Sequence, residues 1–252
     1  MITNKIQIRL IGTGTILSDE GQACSSTLLE TRKEKILIDC GPGTFLQLKK
    51  MEIRPDEIHF IFLTHFHPDH VSDLIPFLFF LANSRSQRKD SLQIWGPAGL
   101  ATLLAGFQKI YGNWLDKLPV IIRELSGSLL QFPAFSVRWA KVLHNDESVG
   151  YRFEIDRKII VFSGDSDYCP ELVELSRQAD LAVLECSYPD ETEVPGHLTP
   201  GKVGKIGREA AIKHIVLTHL YPEIKPGNPE ESIKKIYSGS VSTGKDFAQF
   251  IL

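Results

Sequence analysis

Residues 64–70 read Thr-His-Phe-His-Pro-Asp-His. Three imidazoles and a carboxylate fall within six positions, and such a cluster points to metal ligation rather than to a chance run of surface histidines. These donors suit zinc, and manganese and iron share them. In an extended segment, residues two apart point the same way, so His65 and His67 can reach one ion together. Pro68 turns the chain, which lets Asp69 and His70 face a second ion. Four donors on one short loop make a poor closed tetrahedron, and a catalytic metal keeps a position open for water. Further ligands must come from elsewhere. His144, Asp165 and His219 each follow a predicted strand, over 135–143, 158–162 and 215–218. Each alone reads as easily as a surface residue. Together they complete the count for two divalent ions.

Residues so far apart need a frame that brings strand ends to one edge. Alternating or apolar runs predict strands over 6–11, 27–30, 35–39, 58–64, 92–95, 135–142, 158–162, 181–185 and 214–218. Helical patterns lie over 42–51, 99–111, 169–178 and 200–211. This mixture is α/β. The stretch 129–162 has close strands and short turns, which breaks the alternation of a doubly wound sheet. Two sheets with helices outside fit both features. Residues 74–82 are the most apolar run; they fall far short of the ~20 needed to span a membrane and are expected to form a buried helix. Residues 83–91 are polar and are expected to form an exposed loop.

Residues 1–10 alternate like a strand, not like a secretory signal. The four cysteines, Cys24, Cys40, Cys169 and Cys186, make no Cys-x-x-Cys pair. A cytoplasmic protein with reduced thiols is the expectation. The chain is 42% hydrophobic and 23% charged, enough to build its own core. A net charge of −3 gives no broad footprint for nucleic acid, although total charge says little about local patches.

The order His65-x-His67-x-Asp69-His70, then His144, then Gly164-Asp165, then His219 resembles the metallo-β-lactamase superfamily over nearly the whole chain. Residues 11–15 (Ile-Gly-Thr-Gly-Thr), 25–30 and 37–43 match that family's usage as well. The resemblance implies one domain over residues 1–252, built as an αββα sandwich of two mixed sheets with outer helices. It also implies a metal-dependent hydrolase. His65, His67 and His144 would hold one ion, Asp69, His70 and His219 the other, and Asp165 would bridge them. Zn2+ is the first expectation, with Mn2+ or Fe as alternatives. Asp69 would also act as the base. Asp39 either orients a ligand of the 64–70 cluster or caps a turn. The Gly12-x-Gly14 pair lacks the third glycine of a nucleotide loop and reads as a tight turn.

Such a site suits phosphodiesters, β-lactams, lactones and thioesters alike. Gly196-His197-Leu198-Thr199-Pro200 helps to choose. Thr199 is expected to cap the following helix, with Pro200 in its first turn. His197 then lies beside a helix N-terminus, a natural anion site, and can protonate a leaving oxygen; the alternative is a capping or surface histidine. This element resembles the ribonuclease Z and phosphodiesterase branch, as do residues 217–221 and Leu184-Glu185. Only 20 residues separate His144 from Asp165, however, which leaves no room for the tRNA-gripping arm of ribonuclease Z. The proline- and arginine-containing loop of that enzyme is replaced by the acidic residues 18–24. The expected substrate is therefore a small phosphodiester or nucleotide, with RNA not favoured. A lactone hydrolase, with Tyr168 as a catalytic group, and a ribonuclease Z-type tRNA 3′ endonuclease are the alternatives. A non-enzymatic binder would be expected only if a ligand were missing. His59 and His214 sit at strand starts and read as structural. The resemblance allows a homodimer, and residues 74–82 could serve a core or an interface.

Overall fold

The computed structural model describes residues 5–18, 21–84, 90–192, 194–224 and 226–252. The first residues of the expected N-terminal strand, most of the polar loop 83–91 and the two acidic residues of 18–24 lie outside them.

The first sheet contains β1 (Gln7–Gly12), β2 (Ser26–Glu30), β3 (Lys35–Ile38), β4 (Phe60–Phe62), β5 (Leu92–Gly96), β6 (Val120–Glu124) and β14 (Gln249–Ile251), in the order β14-β1-β2-β3-β4-β5-β6. The second contains β7 (Leu129–Gln131), β8 (Ser136–Lys141), β9 (Val149–Ile155), β10 (Lys158–Phe162), β11 (Leu181–Glu185), β12 (His214–Thr218) and β13 (Ser240–Thr243), in chain order. Both sheets have the same plan. One side, β14 to β3 or β7 to β10, is antiparallel, and the other, β3 to β6 or β10 to β13, is parallel. The sequence carries no matching repeat, so the shared plan is visible only in the pairing.

Helices cover both outer faces. The first sheet carries α1 (Thr44–Lys50), α2 (Pro68–Val71), α3 (Leu74–Asn83) and α4 (Leu100–Tyr111); the second carries α5 (Pro170–Leu175), α6 (Pro200–Ala210) and α7 (Pro229–Lys234). The expected αββα sandwich is therefore present. Side-chain alternation along the strands assigns residues to its layers. Phe60 and Phe62 enter the core between the sheets, while Ile61 enters the core under α1, α3 and α4. Leu181 and Val183 likewise face the other sheet, and Ala182 and Leu184 face the helices. Strands buried on both faces, such as Leu181–Glu185, read as unbroken apolar runs for this reason.

Phe62 lies centrally in the inter-sheet core, with ring centroids 5.4 Å from Tyr151 and 5.2 Å from Phe153. Phe62→Ala would cost about 3–5 kcal/mol on general grounds. Tyr151 donates a 2.6 Å hydrogen bond to the Leu63 carbonyl, and Val149 N–H donates to the Thr64 carbonyl at 3.0 Å. The second sheet thereby grips the chain just where the metal motif begins.

Three expectations need correction. The helix expected at 74–82 forms, but it buries only one face: Leu74, Phe77 and Leu78 are buried, while Phe79 is 52% exposed. Its other side lies at the surface, where Phe79 packs edge-on against Trp114. The strand expected over 58–64 shortens to Phe60–Phe62, because the residues after it turn out to build the site. Thr199 occupies the N-cap position of α6 without a side-chain cap bond; Asp190 instead accepts from Gly201 N–H at 2.8 Å. The N-terminus of α6 thus already holds a carboxylate and is not a free anion site. Among the described residues, no helix is long and apolar enough to cross a membrane. The four cysteines are buried and unpaired.

Candidate metal centre

The parallel strands of both sheets deliver the site. Residues 64–70 follow β4, Asp165 follows β10, Glu185 ends β11 and His219 follows β12. Parallel neighbours end at the same edge, so three strands of one sheet and one of the other meet there.

Two groups of candidate ligands form. Atoms of His65, His67, His144 and Asp165 lie within 4.8 Å of one another, as do atoms of Asp69, His70 and His219. All seven residues singled out in the sequence are thus together. Asp165 stands between the groups. Its Oδ2 lies 3.8 Å from His65 Nε2, 3.9 Å from His144 Nε2 and 3.4 Å from His219 Nε2, while its Oδ1 lies 3.2 Å from His70 Nε2. His197 joins a third grouping with Asp165 and His219.

This donor set fits cations. Nε2 of His65, Nε2 of His70 and Oδ1 of Asp165 are buried without a hydrogen-bond partner among the described residues. Each such orphan costs about 1–3 kcal/mol unless something satisfies it. The orphans face one another, and divalent ions between them would satisfy every one. Zinc, manganese and iron all match imidazole and carboxylate donors.

The electrostatics agree. Burial pushes the Asp165 carboxyl up, but His219, His70 and His65 outweigh it and hold the group well below the usual carboxylate range. Burial likewise opposes ionisation of Asp69, yet the hydrogen bond with His219 and the nearby His70 lower it to about 2. His65 is driven well down by burial, with His70 adding to the effect, so it stays a neutral donor. His70 is buried too, but Asp165 and Asp39 reverse the effect and raise it.

Each ring is braced from behind. Asp39 Oδ2 lies 2.8 Å from His70 Nδ1, and Asp39 Oδ1 accepts from Thr64 N–H at 2.8 Å. Asp39 therefore orients the ligand candidate His70, the first of the two roles the sequence left open, and fixes the start of the 64–70 segment. His144 Nδ1 donates to the Gly196 carbonyl at 3.0 Å, which leaves Nε2 facing the cluster. Gly196 has φ +85°, and a Cβ there would sit 2.9 Å from His144 Nδ1, so glycine is required. A Cβ on Gly41 would meet the Asp69 carbonyl at 2.0 Å, which fixes glycine beneath the metal loop. Asp39 and His219 adopt φ +59° and +52°, strained conformations for non-glycine residues.

Four further participants, Glu185, Ser187, Tyr188 and Tyr221, carried weaker sequence signals. Glu185 is fully buried and lies 3.1 Å from His197 Nδ1. Ser187 Oγ donates to Glu185 at 2.5 Å and lies 3.1 Å from His219 Nδ1. A metal ion on His219 Nε2 would leave the proton on Nδ1, where Ser187 Oγ stands ready to accept it. One buried carboxylate so orients two imidazoles, one directly and one through a hydroxyl. Burial pushes His197 down, but Glu185 overrides it and raises it. Tyr188 and Tyr221 form a wall beside His197 and His219. Ser187 and Tyr188 follow Glu185, and Tyr221 follows His219 by two; only that adjacency could have marked them. Tyr168 goes elsewhere: its hydroxyl donates to Glu209 at 2.7 Å and Lys205 lies over its ring. His59 accepts from Lys35 N–H, and His214 bonds Ser242, both away from the cluster.

Comparison with known proteins agrees with this architecture. A family model described as the β-lactamase superfamily domain matches residues 34–220. A ribonuclease Z from Methanosarcina mazei is 28% identical over 272 aligned positions, covering 85% of this chain and 87% of that protein. The metallo-β-lactamase fold protein YhfI from Bacillus subtilis superposes with a TM-score of 0.87 at 22% identity, covering 99% of this chain and all of that one. The short form of human tRNase Z gives 0.76 at 22% identity, with 97% and 98% covered. The chain belongs to the β-lactamase superfamily and is a metal-dependent hydrolase of that fold.

Proposed function

We propose that this protein hydrolyses compact phosphodiesters, such as nucleotide diesters, using two divalent ions. The reading rests on the seven converging ligand candidates with the His197–Glu185 pair beside them. His65, His67 and His144 would hold one ion, Asp69, His70 and His219 the other, with Asp165 shared. Bound there, the ions lower the pKa of water and neutralise charge on the phosphoryl oxygens. Asp69 is placed to take the proton of the attacking water. As the new P–O bond forms and the old one breaks, His197 Nε2 gives its proton to the departing oxygen. Glu185 on Nδ1 holds the imidazolium in that orientation.

The choice of a compact substrate rests on the segment between His144 and Asp165. It contains only β9, β10 and the turn at Asp156-Arg157. The alignment with the Methanosarcina enzyme spans more positions than this chain has residues, so that relative carries insertions missing here. The second reading, a tRNA 3′ endonuclease, is favoured by the name of that relative. Lactone hydrolysis loses its support, since Tyr168 is tied to Glu209. Side-by-side assays of bis(p-nitrophenyl) phosphate, cyclic nucleotides, precursor tRNA and an acyl-homoserine lactone decide between these. The expected result is turnover of the small diesters. Turnover of precursor tRNA alone would make the second reading correct, and turnover of the lactone alone would overturn both.

A further inference from the structure

Four rings crowd the mouth of the site. His197 and His219 lie parallel, with centroids 5.8 Å apart and planes 8° from coplanar. Tyr221 stands edge-on to both, at 5.5 Å from His219 and 6.1 Å from His197. Tyr188 stands edge-on to His197 at 5.7 Å. The two tyrosines stack on each other at 4.6 Å and 25°. Both are only partly buried, whereas His219 beneath them is 1% exposed. An aromatic pair therefore flanks His197 and His219, partly open to solvent, beside the groups expected to meet the scissile phosphate.

A core packing role alone explains this poorly. Neither tyrosine belongs to any of the three apolar cores. Stacking on each other at 4.6 Å limits both side chains, so less rotamer freedom remains to be lost when a ligand packs on them. Aromatic surface beside a phosphate site suits a ligand that carries a planar ring about a sugar's length from its phosphate. A nucleotide has that form, and every base presents a π-face to an aromatic platform.

We propose that Tyr188 and Tyr221 form a stacking platform for a nucleobase, making this a hydrolase of nucleoside-bearing diesters rather than of phosphodiesters at large. The inference rests on the phosphodiesterase reading of the same site. The platform acts in binding, so its loss should appear in KM and only for substrates that carry a base.

The test compares thymidine 5′-(p-nitrophenyl phosphate) with methyl p-nitrophenyl phosphate, two diesters sharing one leaving group. The full-length, metal-loaded protein and its Tyr188→Ala, Tyr221→Ala, Tyr188→Phe and Tyr221→Phe variants are assayed. Each alanine variant should raise KM for the nucleoside ester about tenfold, in line with one lost base–aromatic stack. The methyl ester should change by less than about twofold, and both phenylalanine variants should restore the nucleoside KM. Equal losses on the two esters would overturn the platform and make the pair a brace for His197 and His219. Failure of the phenylalanine variants would overturn stacking in favour of the hydroxyls. Calorimetric binding of thymidine 5′-monophosphate against methyl phosphate reads the platform without turnover. A preference for the nucleotide that the alanine variants abolish would support it even if neither ester were hydrolysed, an outcome that would sink the phosphodiesterase reading alone.

Discussion

The two sheets contribute to the site in opposite ways. The first supplies His65, His67, Asp69 and His70 from one loop, braced by Asp39 on the neighbouring strand end. The second supplies His144, Asp165, His197 and His219 from four separate loops, tied together by Glu185 and Ser187. The compact half is local: Pro68 and one carboxylate set its geometry. The dispersed half depends on parallel strands ending together and on buried polar bonds between them. Damage to the compact half should therefore remove metal outright, while in the dispersed half loss of His197 should spare the metal and lower turnover, and loss of Asp165, or of Ser187 behind His219, should weaken metal binding.

The largest expected effect is in the compact half. Asp69→Ala removes a candidate ligand and the proposed base together, and hydrolysis of a chromogenic phosphodiester should fall below detection. Substantial remaining activity would remove Asp69 from the mechanism. Next comes His197→Ala in the dispersed half. It should lower kcat about 10²–10⁴-fold, the usual contribution of a positioned acid, with metal content unchanged. Metal loss in that variant would make His197 structural.

Ser187→Ala should act more mildly, by releasing the His219 tautomer. The affinity of the second ion should weaken about 10–100-fold by chelator competition, as when a partner behind a metal-bound histidine is lost. Ser187→Thr should restore it, and an unchanged affinity in the alanine variant would break the link from Glu185 to His219. The smallest effect belongs to Tyr168→Phe. Its hydroxyl serves Glu209 at the surface, so kcat and KM should stay within about twofold; a large loss would return the phenol to the site and revive the lactone reading.

The same contrast explains what could be read from sequence. The 64–70 motif is legible because its chemistry is contiguous. His144, Asp165 and His219 are legible because each directly follows an apolar strand. Two sheets with outer helices are legible in the mixture of elements and the family resemblance names the αββα order, but the pairing that gives both sheets one plan leaves no repeat in the residues. Ser187 and the tyrosine pair were not picked out, since a serine and two tyrosines have many ordinary uses. Only the closing of β11 beside β12 brings Ser187 to His219. Sequence points to Thr199 as the α6 cap, but Asp190, nine residues upstream and in a loop, holds the Gly201 N–H instead. The half-exposed face of α3 was missed because a run as apolar as 74–82 shows no periodicity.

The central claim is a two-ion site shared through Asp165. Metal-free protein should be titrated with zinc or manganese while hydrolysis of bis(p-nitrophenyl) phosphate is followed, in parallel with Asp165→Asn. Activity should appear only as the second equivalent binds, and the Asn variant should neither hold two ions nor turn over. Full activity with one ion per chain, or an Asn variant that keeps both ions and its rate, would contradict that claim.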